Sequence, residues 1–431
     1  MSKKKNPSNL TPRKHNASNQ GTGKAKSGNS VSFADQIHAV LEKTTGSGVD
    51  FTRQSAPLVH LDYSRELRIK NEAMQRFWED LALPGDPGQV VASPHPRHYR
   101  TTSNRKAALR GSDLYLFMGG KKPSRQQKSF EKSNLEPESH ARIYRFLRSK
   151  ISESPFKVVG KHLNYIVIRG SYQEQAVIFN VDEMNGPLIR KLKILAQHLH
   201  NLSDPVGAAF IYPDPSGSNY YLEEKRPSDI VKFKKLFGKN QLELNVAGCR
   251  YLYHPTSFSQ VNESILPTML ESVQDLLDPS PGQRLLDLYC GYGLFSHYLA
   301  PYYHQVVGVE ADGEALKAAI ANKKSNPDSR DVQFISGRVT GNNLPELLPP
   351  GEVSKEALIL DPPRQGPKEG VIPVLCHRQP ENVLHIHCNT DLIPASIREW
   401  EKGGYKPSRI LPLDMFPGTA NLEVLIKFEA K

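Results

Sequence analysis

The stretch Leu285–Ala300, LLDLYCGYGLFSHYLA, decides how the C-terminal half of this chain is read. A short buried strand ends at Tyr289, and Gly291 and Gly293 make the turn into a helix. Glycine at such a turn lets the backbone approach a ligand closely. The next apolar run ends at Glu310, a little over twenty residues beyond the turn. An acid at that place commonly accepts hydrogen bonds from ribose hydroxyls. The turn lacks the third glycine that a dinucleotide pyrophosphate prefers. Turn and acid together fit a nucleoside cofactor without a pyrophosphate, such as S-adenosylmethionine. An ordinary α/β turn beside a surface glutamate is the plain alternative.

Outward from this unit the same rhythm repeats. QRLLDLY, QVVGV, VQFIS, ALILD and NVLHIHC are short apolar runs, each followed by a helix-like segment. That alternation means a mostly parallel sheet covered on both faces. SRILPLD and LEVLIKFEA then follow with no helix between them, so the spacing predicts a doubly wound sheet closed by an antiparallel hairpin over residues 241–431. Upstream, 141–240 reads as a central α/β subdomain. FKVVGKHLNYIVIRGS and EQAVIFNVDE form a strand pair there, GPLIRKLKILAQHLHNL a helix and VGAAFIYP a further strand. Residues 36–140 contain a helix in SRELRIKNEAMQRFWEDL, broken by the Pro and Gly of LPGDPGQ, and read as an N-terminal RNA-binding region.

The 431 residues are too many for one core and suit two or three domains. No apolar run is long enough to cross a bilayer, and the basic start MSKKKNPSNL is not followed by the apolar stretch of a secretory signal. A cytoplasmic monomer away from membranes is expected. Four cysteines (Cys249, Cys290, Cys376 and Cys388) are too few for a disulfide framework. The net charge of +11 favours a polyanionic partner. Residues 1–34 carry seven Lys or Arg and no acid, which makes 1–35 a disordered basic tail. A second cluster places nine Lys or Arg between Arg97 and Lys128 against one acid, Asp113. Tyr99 and Arg100 lie within it, and a basic stretch with interleaved aromatics suits RNA backbone contacts and base stacking.

Two further motifs carry chemistry. In LILDPPRQGP, Asp361 ends a strand, where open α/β sheets bind ligands. Pro362 and Pro363 then stiffen an extended ledge that presents Arg364 for a phosphate or a nearby anion. In HIHCNTD, residues 385–391, two histidines and a cysteine suggest zinc, with Cys376 and His377 close in sequence. Strand alternation puts His385 and His387 on one face and Cys388 on the other, and no C-x-x-C or H-x₃-H pairing exists, so no metal is expected. Cys388 has the better claim as a nucleophile. It ends the strand after the one bearing Asp361, with Asn389, Thr390 and Asp391 as candidate caps of the next helix. A helix N-terminus and a guanidinium lower a thiol pKa. A free, inert, buried cysteine is the alternative.

The ordered set DLYCGYG, GVE, DPPRQG, HCN and DMFPGTANLEV resembles the S-adenosylmethionine-dependent RNA uracil-C5 methyltransferases, the tRNA T-loop and 23S rRNA enzymes that form 5-methyluridine. SFSQVN and ASPHPRHYRTTSNRK match its upstream segments, and the likeness spans roughly residues 60–431. It implies a Rossmann-like class I methyltransferase fold and S-adenosylmethionine as cofactor. It further implies that Gln260, Tyr289, Glu310 and Asp361, with Gly291 in the turn, line the cofactor pocket. By the same resemblance Cys388 is the nucleophile and Glu423 the proton acceptor, acting on tRNA or rRNA. The chain departs from the pattern at Leu294, Gly337, Arg338, Thr390, Asn421 and Leu422, none of which removes a reacting group. The cysteine-rich iron–sulfur motif of the ribosomal members and a leading β-barrel module are both missing, which places the chain nearer the tRNA enzymes. An RNA-folding protein with vestigial turnover, or an RNA N-methyltransferase using DPPR, are the other readings.

Overall fold

The structure, a computed structural model, describes residues 31–45, 56–118, 129–202, 206–217, 233–329, 331–351 and 355–431. The basic tail up to residue 30, and Lys121, Lys122, Arg125 and Lys128 of the second basic cluster, lie outside the described residues. The chain begins with two helices, α1 (Phe33–Thr45) and α2 (Tyr63–Asp80). Their apolar stripes, including Phe33, Ile37, Leu41, Ile69, Ala73 and Phe77, pack into one core with Leu286, Leu358 and Ile426 of the catalytic sheet.

A six-stranded mixed sheet follows. It is built from β1 (Ser103–Arg110), β2 (Asp113–Phe117), β3 (Leu163–Gly170), β4 (Gln175–Val181), β5 (Val206–Pro213) and β6 (Lys234–Gly238), in the order β2-β1-β3-β4-β5-β6. Helices α3 (Glu138–Ser152), α4 (Lys157–His162) and α5 (Gly186–His200) cover one face. The other face, through Tyr165, Val167, Ile178 and Phe210, packs on the catalytic domain.

Two expectations are corrected here. The boundary at 140/141 does not exist, because β1 pairs antiparallel with β3, Ser103 opposite Ile168 and Lys106 opposite Tyr165. The expected N-terminal region is thus divided: 33–80 joins the catalytic core and 103–117 the central sheet. FKVVGKH is not strand but the short helix α4, which continues the turn at Ser154–Phe156 and tucks Gly160 beneath Leu109.

The hairpin β7 (Leu242–Val246) and β8 (Cys249–Tyr253) leads into the last domain. There α6 (Leu266–Leu277), β9 (Arg284–Leu288), α7 (Leu294–Leu299), β10 (Gln305–Glu310), α8 (Glu314–Asn322), β11 (Gln333–Ser336), α9 (Leu344–Leu347), β12 (Glu356–Leu360), α10 (Val371–Arg378), β13 (Asn382–His387), α11 (Ile393–Lys402), β14 (Tyr405–Leu413) and β15 (Glu423–Ala430) alternate as expected. Their seven strands order as β11-β10-β9-β12-β13-β15-β14, parallel from β11 to β13 and antiparallel at β15. The central strands are buried on both faces, which is why they read as continuous apolar runs. No helix among the described residues is long and apolar enough to cross a membrane.

The loop between β14 and β15 is anchored by charges that the core encloses. Lys70 Nζ donates to Asp414 Oδ1 at 2.7 Å and lies 2.9 Å from Glu66 Oε1, all three side chains fully buried. Tyr63 donates to Asp414 Oδ2, and Gly418 N to Glu66 Oε1. Removing Lys70 from such a cluster leaves two buried carboxyls facing each other, with Arg97, among the described residues, the one cation still on Glu66 and only the Tyr63 hydroxyl on Asp414. Lys70→Met is therefore expected to lower unfolding free energy by about 3–5 kcal/mol, read as a smaller urea midpoint at unchanged slope.

Candidate active site

The turn after β9 is shaped by left-handed backbone. Tyr289 has φ +66°, Gly291 +57° and Gly293 +87°. A Cβ on Gly293 would strike the His297 ring at 2.7 Å, whereas a Cβ on Gly291 would meet nothing within 4 Å. Gly293 is thus needed for packing, and Gly291 leaves open space beside the backbone. Gly291 N donates to Glu310 Oε2 and Ala311 N to Oε1, both at 2.9 Å, so the acid at the end of β10 is locked against the glycine turn. The structure brings Tyr289, Gly291, Glu310 and Asp361 to the carboxyl ends of three adjacent strands, β10, β9 and β12. Gln260 lies half-buried on the approach to α6.

Carboxyl groups crowd this rim. Asp287, inside the opening motif, is fully buried; one oxygen accepts from Ser296 Oγ and Oδ1 has no hydrogen-bond partner among the described residues. Burial, then the Glu310 charge, pushes it up to about 7. Asp361 is likewise pushed up to about 7, by burial and then by Asp287 and Glu310. Asp287 was missed in the sequence although its signal was there: one acid in an otherwise apolar strand.

Cys388 follows β13, the parallel neighbour of β12, and therefore opens onto the same rim as Asp361. The antiparallel pairing of β15 with β13 sets His387 opposite Val424, so Glu423 begins its strand where β13 gives way to Cys388. Thirty-five residues of chain are closed by that register. Arg364 is exposed on the Pro-Pro ledge, its Nη2 3.5 Å from Asn421 Oδ1, while Asn389 Nδ2 donates to its carbonyl at 3.4 Å. Pro362, Pro363, Arg364, His387, Cys388 and Asn389 line a small cleft.

The thiol does not sit where it was expected to on the pH scale. Burial first, then Glu423 and Asp361, push Cys388 up to about 12, against a downward pull from Arg364. A 3-10 turn over Thr390–Leu392 separates Cys388 from α11, which starts at Ile393, and Asp391 Oδ1 accepts from Phe33 N of α1 instead of capping its own helix. Glu423 is itself held well above the carboxylate range, by burial and then by Asp361. An ordinary thiol titrates at about 8.5. Alkylation of Cys388 by iodoacetamide in the free protein is therefore expected to be slow at pH 7.5 and to rise about tenfold per pH unit beyond pH 9, still climbing where a free cysteine has levelled off. Peptide mass spectrometry against pH reads this.

The histidines of HIHCNTD belong to the core. His385 and His387 are buried with ring centroids 3.8 Å apart, and Trp400 Nε1 donates to His385 Nδ1. Burial pushes His387 down to about 3, and His385 lower than an ordinary histidine. Cys376 is buried and His377 bonds within its own helix. The described residues contain no group of three His, Cys, Asp or Glu arranged to hold a metal ion.

On the RNA side the structure corrects Tyr99 and two cations of the second cluster. Tyr99 is fully buried and donates to the Pro417 carbonyl, so it has no face for a base. Arg105 is equally enclosed, pairing with Glu136, and Arg97 binds Glu66 and the carbonyls of Leu58, Val59 and Leu61. These cations face inward because each finds a buried acid. Arg100 is half-buried and bonds the Thr102 carbonyl. Among the large hydrophobic side chains of the described residues the most exposed is the aromatic Phe258, at 63%, two residues before Gln260. Of the departures from the motif pattern, Leu294, Thr390 and Leu422 are buried.

Comparison with known proteins agrees with this geometry. A family model described as tRNA (Uracil-5-)-methyltransferase matches residues 226–347. A 23S rRNA (uracil(747)-C(5))-methyltransferase of Pyrococcus abyssi is 33% identical over 378 residues, covering 86% of this chain and 82% of the relative. The chain belongs to the RNA uracil-C5 methyltransferase family. A second relative so named, from Pyrococcus horikoshii, is 27% identical over 85% of this chain and 81% of its own. Among solved structures, Pyrococcus abyssi tRNA (uracil-54, C5)-methyltransferase in complex with S-adenosyl-L-homocysteine superposes with a TM-score of 0.66 at 21% identity, covering 87% of this chain and 86% of that one. That likeness establishes the methyltransferase fold.

Proposed function

We propose that this protein methylates C5 of a uridine in tRNA or rRNA, with S-adenosylmethionine as donor, through a transient bond between Cys388 Sγ and uracil C6. The observation that carries this reading is the convergence of Asp361, Cys388 and Glu423 at the ends of β12, β13 and β15, the three strands that follow in order from β9 and its Gly291 turn. The donor's chemistry fits the site. Open space at Gly291, an unpartnered Asp287 oxygen and three mutually repelling carboxyls favour a ligand that carries a positive charge and hydroxyl donors. Gln260, Tyr289, Gly291, Glu310 and Asp361 would hold it, with Glu310 toward the ribose. When bound, S-adenosylmethionine supplies a methyl group already activated on a sulfonium.

The chain's residues do the rest. Uracil C5 is a weak nucleophile. Addition of the Cys388 thiolate to C6 moves the C5–C6 π electrons onto O4 and makes C5 enolate-like. Once C5 carries the methyl group, Glu423 takes the C5 proton. The electrons of that C–H bond re-form the C5–C6 double bond and Sγ leaves as thiolate. A buried carboxyl with a raised pKa is a stronger proton acceptor than a solvated one. Arg364, on the ledge beside Cys388, is placed for O4 or a neighbouring phosphate, and Arg100 for the RNA backbone. The target base must leave its stack to reach the thiol.

Mapping 5-methyluridine in tRNA and rRNA from a strain lacking the gene tests the reading. One modified uridine is expected to disappear and to return with the wild-type gene but not with Cys388→Ala. Unchanged maps in both RNA classes would contradict it.

A further inference from the structure

Arg169 ends β3 in the central sheet, yet its side chain serves the catalytic domain. It is 1% exposed. Nη1 donates to the carbonyls of Pro255 and Ser257, both at 2.6 Å, and Nη2 to Ser259 Oγ at 2.7 Å. These acceptors lie in the segment that carries Phe258 and Gln260. Ser257 and Ser259, each 6% exposed, turn inward toward the guanidinium and leave Phe258 outside. The segment also meets the glycine turn, because Tyr253, two residues before Pro255, packs its ring on Tyr292. Those two rings stack with centroids 5.4 Å apart, and Tyr292 stands between Gly291 and Gly293. One planar fork thus joins a strand of the central domain to three acceptors of segment 255–259, a geometry that arginine makes and lysine cannot.

We propose that Arg169 is a positioning residue that holds segment 255–260 against the glycine turn, so that Gln260 meets the cofactor in a fixed place. This rests on the reading of Gln260 as a cofactor contact. A side chain held through a second residue transmits its loss as a misplacement, and a displacement of about 1 Å costs about 10- to 100-fold. Arg169→Ala is expected to weaken binding of S-adenosylhomocysteine to the full-length protein by about 10- to 100-fold, measured by calorimetry without RNA.

Gln260→Ala separates the two claims. Weakened binding in Gln260→Ala with wild-type binding in Arg169→Ala overturns the positioning role and leaves the pocket intact. Wild-type binding in both overturns the Gln260 reading and the proposal with it. A general loss of structure is told apart by chemical rescue. Guanidinium at millimolar concentration should restore binding in Arg169→Ala and not in Gln260→Ala; weakened binding without rescue overturns the proposal. If Arg169→Ala does not fold, Arg169→Lys serves, since one ammonium replaces the charge but not the three-way fork. Intermediate weakening supports the role, and wild-type affinity in a folded Arg169→Lys overturns it.

Discussion

Cys388→Ala is expected to lower kcat for methyl incorporation into RNA by on the order of 10⁴-fold or more, with binding of S-adenosylhomocysteine unchanged. The size of the effect follows from the substrate. Without addition at C6 no residue at the rim can make C5 nucleophilic, and positioning alone does not replace a missing covalent step. Selectivity among the cysteines follows from place: Cys290 and Cys376 are buried and Cys249 is remote on the β7–β8 hairpin, so alanine at those positions leaves methylation within a few-fold of wild type. The upward shift of the Cys388 thiol is a property of the free protein, set first by burial and then by Glu423 and Asp361, which outweigh the opposing pull of Arg364. A cation beside Asp361 offsets part of that field.

Glu423→Gln is expected to lower turnover by about 10²- to 10⁴-fold while leaving the first half of the reaction in place. The amide keeps the shape of the carboxyl but cannot take the C5 proton, so the methylated adduct stalls with Sγ still on C6. RNA should migrate with the protein on a denaturing gel, and the band should vanish in the Cys388→Ala/Glu423→Gln double variant. An N-methyltransferase would show neither band nor dependence on the thiol. Asp361→Asn serves as a control: it removes a neighbour that raises both groups, and no adduct should accumulate.

The parallel sheet was legible because its strands are buried on both faces. QVVGV and ALILD leave no polar face to confuse the pattern, and each ends on a residue of the rim. The hairpin at β14–β15 was legible for a similar reason, having no helical segment between its runs. What periodicity could not show was register: the pairing of His387 with Val424 sets Glu423 beside Cys388, two residues that the sequence linked only through motif resemblance. Charge reading failed in a different way. Arg97, Arg105 and Tyr99 looked like an RNA face, and nothing in their local sequence reveals that Glu66, Glu136 and the Pro417 carbonyl, distant or on other elements, draw them inside. The domain boundary failed because β1 joins β3 by backbone bonding, which leaves little mark on side-chain order.

The central claim is the bond between Cys388 Sγ and uracil C6. RNA substituted with 5-fluorouridine tests it on the wild-type protein, because fluorine at C5 cannot leave as a proton does and the adduct cannot resolve. Incubation with S-adenosylmethionine, followed by nuclease and protease digestion and mass spectrometry, should find a methylated fluorouridine on the peptide containing Cys388. Its absence, or attachment at Cys249, Cys290 or Cys376, while the unsubstituted RNA is methylated normally, would contradict the account.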